Sequence, residues 1–159
     1  MALAVALTVV AGLAFGAYRL FGADSGSSGS GSGASAAPGD VPATIDHSIG
    51  AAFGAIGTGL GMRNLADQYH VRDAIDVSIF VVGQDRVQLQ TARKGLSGAQ
   101  ADAVDAALAA EDRLGAGLVQ WRDALFNLRF GQVDPAQNAV NDAITALAAA
   151  RDSWNAATS

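Results

Sequence analysis

The chain has no cysteine, so it can form neither a disulfide framework nor a thiolate metal site, and cysteine usage says nothing of its redox compartment. It has one lysine, Lys94, beside nine arginines that stand singly along the sequence. No basic cluster is therefore present to displace counterions from nucleic-acid phosphates or to hold anionic headgroups, and the formal charge of −5 points the same way. Nucleic acid is not an expected partner. Aromatic residues are few, 6% of the total, while half of the chain is apolar and alanine leads. A core must then come from thin side chains at close backbone spacing, which packed helices provide better than sandwiched sheets.

Motifs that carry chemistry are also missing. There is no phosphate-cradling G-x-x-x-x-G-K-[ST] loop, no G-x-S-x-G elbow and no H-E-x-x-H helix. The serines cluster in a small-residue tract where no fixed base could activate them. The sequence makes no positive case for an enzyme, and neither a cofactor nor a metal is expected.

What is present begins with an apolar run. From Met1 to Tyr18 every residue is apolar or small apart from Thr8, and Leu20 and Phe21 extend the run to about 20 residues, the length that crosses a hydrocarbon core. Tyr18 and Arg19 suit an interface, where a ring lies among headgroups and a cation snorkels. Residues 1–22 are thus expected to be a single transmembrane anchor in the lipid bilayer. A cleaved secretory signal is the competing reading, but basic residues before the run and a small-x-small site soon after it are lacking. Residues 23–42, rich in Gly and Ser, read as a flexible linker, of which residues 24–40 give a reach of roughly 20–25 Å. The flanking charges, Arg19 offset by Asp24, decide no orientation; the long Ser/Gly tether favours an extracytoplasmic position for the C-terminal domain.

Residues 43–159 are read as a small antiparallel three- to four-helix bundle, so the fold class is all-α. The glycine-rich stretch after Pro42 contains Gly50 and Gly54, a small-xxx-small pair that would let another helix approach closely. Residues 63–94 are ambiguous, because Ile75, Val77, Ile79 and Val81 alternate with other residues at a strand period. A β-hairpin at 75–91 turning at Gly83–Arg86 is the alternative to a helix; with no third strand to cover it, a hairpin would be marginal, which favours the helix. Ser97-Gly98-Ala99-Gln100 fits a capping box, followed by an apolar stripe at Val104, Ala107, Leu108, Leu114, Leu118, Trp121, Leu125 and Leu128. Gly131 suits a left-handed helix end, and Asp134-Pro135 restarts a last helix that buries Val140, Ala143, Ile144, Leu147 and Trp154.

Such a short connection makes the last two helices antiparallel, with facing residue numbers that sum to about 265. That register brings Glu111, the only glutamate, near Arg151, and a structural ion pair between them is expected, since both fall on apolar stripes. His70 with Asp67 and Asp73 could share a helix face and offer ligands to a metal, but solvated helix charges explain the same spacing. His47, beside Asp46, reads as a helix-start or interfacial residue. Phe126 and Phe130 follow a different edge from the stripe and are the candidate partner contacts. The expected function is a non-catalytic, membrane-anchored helical interaction domain, an accessory or structural subunit of a membrane or envelope protein complex whose partner is another protein or a homo-oligomer. A ligand- or metal-sensing helical domain and a structural protein of a virus or surface filament are the alternatives.

Overall fold

The computed structural model describes residues 41–61 and 67–159, and four helices carry these described residues. They are α1 (Val41–Leu60), α2 (Asp67–Arg93), α3 (Gly98–Phe126) and α4 (Val133–Thr158), with one 3-10 turn, Phe130–Gln132, ahead of α4. No strand occurs among the described residues, so residues 75–91 form helix and not a hairpin. The anchor and nearly all of the linker fall outside the described residues; the linker's expected last residues, Val41 and Pro42, already belong to α1. No helix among the described residues is long and apolar enough to cross a membrane.

Each helix buries positions that recur at alternating intervals of four and three. In α2 these are Val71, Ile75, Ser78, Val82, Asp85, Leu89 and Ala92, and in α4 they are Ala136, Val140, Ala143, Leu147, Ala150 and Trp154. That spacing keeps a narrow seam turned inward along the whole helix, the geometry of helices packed nearly parallel or antiparallel with side chains interlocked. The strand-like alternation in α2 arises because Ile75 is buried and Ile79 half-buried, while Val77 points to solvent.

Cross-helix contacts fix the order. Ser78 Oγ donates to the Ala51 carbonyl at 2.7 Å, joining α2 to α1. Along the α2–α3 seam, Arg93 binds Asp105 at 2.7 Å, Arg86 binds Asp112 at 2.6 Å, and Asp76 accepts from Arg122 at 3.2 Å. The numbers fall on α2 as they rise on α3, so the two are antiparallel. Exposed pairs of this kind stabilise little; repeated along one seam, they disfavour a slipped register. Arg151 on α4 binds Asp46 on α1 at 2.7 Å and closes the ring.

The α3–α4 crossing departs from the expected register. Gly117 packs against α4, where an added Cβ would meet Val140 Cγ2 at 3.1 Å and the Val140 backbone nitrogen at 3.2 Å. The cause is the turn. Helix α3 ends earlier than expected in a Schellman motif, with the Leu128 N–H donating to the Leu125 carbonyl and the Arg129 N–H to the Ala124 carbonyl. Leu128 takes the left-handed position at φ 54°, while Gly131 lies in the 3-10 turn. Helix α4 then begins at Val133, so Asp134 and Pro135 fall inside its first turn. Ser97 does precede α3, but its side chain makes no capping hydrogen bond.

Within the bundle, close approach is seen at Gly117 and Gly59. Gly50 is half-buried, and Gly54 is exposed with nothing within 4 Å of an added Cβ. Gly117→Ala is expected to destabilise the bundle by about 1–3 kcal/mol, because a methyl there presses on backbone that cannot turn aside. Gly54→Ala should be neutral or stabilising by up to about 1 kcal/mol. Thermal unfolding of the two variants checks the contrast.

Candidate functional site

Two features stand apart from an ordinary alanine-rich core. The first is a buried polar layer. The heptad positions of α1, α2 and α3 bring Ser48, Asp85 and Glu111 inward, all at 1% exposure or less. Ser48 Oγ donates to Asp85 Oδ2 at 2.9 Å, and His47, one residue earlier on α1, donates through Nδ1 to the same oxygen at 2.9 Å and to Oδ1 at 3.1 Å. The His47 side chain is 60% exposed, so it caps the layer at the surface and offers the buried Asp85 carboxylate its polar route to water. A turn outward, Thr44 Oγ1 donates to Gln88 Oε1 at 3.4 Å.

Glu111 completes the layer without a partner. Neither carboxyl oxygen makes a hydrogen bond. Burial pushes its pKa up to about 7, the nearby Ser48 hydroxyl opposing in part, with the Asp85 and Asp112 carboxylates adding to the rise and Arg86 working against it. A carboxyl so placed is neutral over the acidic range. The expected pair with Arg151 does not form. In the observed register Glu111 stands across from about residue 146 of α4, and Arg151 turns instead to Asp46 and to Asp152, at 2.7 and 3.4 Å.

The second feature is an apolar tip. Eight large apolar residues are exposed among the described residues, and five of them, Leu60, Tyr69, Phe126, Leu128 and Phe130, sit at one end of the bundle. There α1 and α3 finish and α2 and α4 begin, while the chain enters at Val41 on the opposite end. Arg72 stacks between two of the rings, its guanidinium carbon 5.6 Å from the Tyr69 centroid and 6.0 Å from that of Phe126, which holds both rings in place without covering them. Leu128 adds a strained contribution. A side chain in the left-handed region costs about 1–2 kcal/mol, yet this leucine is 58% exposed and buries little in return. Beside the tip, a shallow cleft is lined by Gln120, Asp123, Arg129, Gln132, Pro135 and Ala136.

The sequence-selected residues divide accordingly. Phe126 and Phe130 lie together at the tip, both exposed. His70 and Asp73 are exposed on α2, and no group of three or more His, Asp or Glu side chains is arranged to hold a metal among the described residues. Asp85 and Ser48 were not legible as site residues, nor were Leu60, Tyr69 and Leu128 as parts of a surface. Asp85 could have been found by extending the four-three spacing of Val71, Ile75, Ser78 and Val82 by one step. Comparison of the chain with protein-family models, with curated proteins and with solved structures finds no match.

Proposed function

We propose that this chain is a non-catalytic, membrane-anchored helical interaction domain, an accessory or structural subunit of a membrane or envelope protein complex, which meets its protein partner through the apolar tip. The observation that supports the reading is the gathering of Leu60, Tyr69, Phe126, Leu128 and Phe130, all exposed, at the end of the bundle away from the point where the chain enters. Scattered exposed apolar residues need no explanation; several at one end, with an arginine stacked between two of the rings, have the composition of a binding hot spot. The polar layer at Ser48, Asp85 and Glu111 joins α1, α2 and α3 and is consistent with a role in setting their pairing.

Leu128 gives the test its edge, because folding and binding should respond to it with opposite signs. Leu128→Gly relieves the left-handed strain and is expected to raise stability by about 1 kcal/mol, while it removes apolar surface from the tip. The full-length protein, tagged at its C-terminus and purified in mild detergent from its native membrane, should carry a stoichiometric companion. That companion should be depleted by Leu128→Gly and lost with Phe126→Ala/Phe130→Ala. A companion retained by all of these variants, or a full-length protein that emerges alone, overturns the reading.

A further inference from the structure

The three remaining exposed large apolar residues, Val77, Phe80 and Val87, all lie on α2, on a face that runs along the helix from Tyr69 at the tip. At roughly 100° per residue they share about a third of the helix circumference with Asp73, Gly83 and Gln84. This face has no partner within the bundle. Gly83 lies midway along it, at one edge, and a Cβ there would meet nothing within 4 Å. A glycine inside a helix weakens it, and the bundle gains no close packing from this one, in contrast to Gly59 and Gly117. What the glycine provides is a flat place where another helix could lie close.

We propose that the exposed face of α2 binds a second copy of this chain, the two α2 helices lying antiparallel about a two-fold axis that passes between Gly83 and Gln84. The pattern of the face is self-complementary about that point, as an isologous interface requires. Phe80 of one copy falls opposite Val87 of the other, so ring meets branched aliphatic on both sides of the axis; Val77 falls opposite Gln90, and the two copies of Gly83 flank the axis along one edge of the face, where they add no side-chain bulk. Charge follows the same symmetry. Asp73, exposed near the start of α2 and bound there by Arg72 at 3.1 Å, falls opposite Lys94, which follows the end of the helix and makes no ion pair among the described residues. No acidic residue of the face meets an acidic one across the axis, because Asp76 falls opposite Thr91. At that register Tyr69 falls level with Gly98 of the other copy, while Leu60, Phe126, Leu128 and Phe130 belong to elements other than α2, so the arrangement does not depend on whether the tip binds a partner.

The absence of cysteine makes single-cysteine crosslinking of the full-length chain in detergent a direct test. Gln84→Cys should oxidise to a covalent dimer. A mixture of Asp73→Cys and Lys94→Cys chains should give a mixed dimer, whereas Thr145→Cys, exposed on α4, should stay monomeric. Light scattering should give the mass of two chains, and Phe80→Asp or Val87→Asp, both on an exposed surface where the fold tolerates charge, should weaken association roughly tenfold or more. A monomeric wild-type chain overturns the proposal. So do crosslinks that form as readily at residue 145 as at 84, or capture of a different protein at 84.

Discussion

Raising the pH through the range from about 4.5 to 7 is expected to remove about 3 kcal/mol of stability through Glu111 alone. The sign follows from which state holds the proton. Burial raises the folded-state pKa to about 7 from an ordinary value of 4.5, so across that interval the folded protein is protonated at Glu111 when the unfolded chain is not. Stability from this group is complete below about 4.5, declines as the pH climbs, and is gone above about 7. The carboxylates packed around it, Asp85 from α2 and Asp112 from α3, reinforce the rise, and Arg86 opposes it. Urea unfolding at intervals between pH 4.5 and 8 should show the decline in the wild type. Glu111→Gln should be nearly flat over the same range and more stable than wild type at pH 8 by about 2 kcal/mol, since an amide keeps the shape and a donor for Ser48 without the charge. Equal slopes in the two proteins would show that Glu111 does not govern the dependence.

The same carboxyl shows where the sequence was legible and where it was not. Glu111 was recognisable as a core-facing charge because it sits on a stripe with Val104, Leu114 and Leu118, and it is buried. Its partner was not recognisable. The pairing with Arg151 depended on a register measured from Gly131, and the helix ends instead with Leu128 in the left-handed position. A turn chemistry that breaks the usual preference for glycine moved the facing residues by about a turn on each helix. The helices themselves were set by spacing that survives in the sequence. In α3 and α4 the apolar stripe is nearly unbroken, so Trp121, Leu125, Val140, Leu147 and Trp154 are buried as expected. In α2 the seam contains Ser78 and Asp85 while Val77, Phe80 and Val87 lie outside it, so polarity and burial disagree at five positions and the helical period is obscured. Four of those positions carry the polar layer and the unpartnered face, and Ser78 ties α2 to α1. A conflict between pattern and burial is where function or assembly is to be sought.

Trp121→Ala is expected to be the most damaging single substitution in the core, at about 3–5 kcal/mol, because the indole is buried and spans the seam between α3 and α1. Gly59 is cut to receive it: a Cβ at that position would lie 2.9 Å from Trp121 Cζ2 and 3.1 Å from Cη2. Those atoms belong to a rigid ring held on both sides, so Gly59→Ala should cost about 1–3 kcal/mol by overpacking. Both close contacts are to the far edge of the indole, an edge that phenylalanine lacks. In a Trp121→Phe background the methyl of Gly59→Ala therefore falls into vacated space, and its effect should change sign to a small gain. The same replacement removes the buried indole Nε1–H, which has no hydrogen-bond partner, so Trp121→Phe itself should cost well under the alanine variant. A double-mutant cycle by thermal or urea unfolding measures the coupling, expected at about 1 kcal/mol or more for groups in direct contact. If Gly59→Ala costs the same with tryptophan and with phenylalanine at 121, the two residues do not meet, and α1 is held to α3 by some other contact.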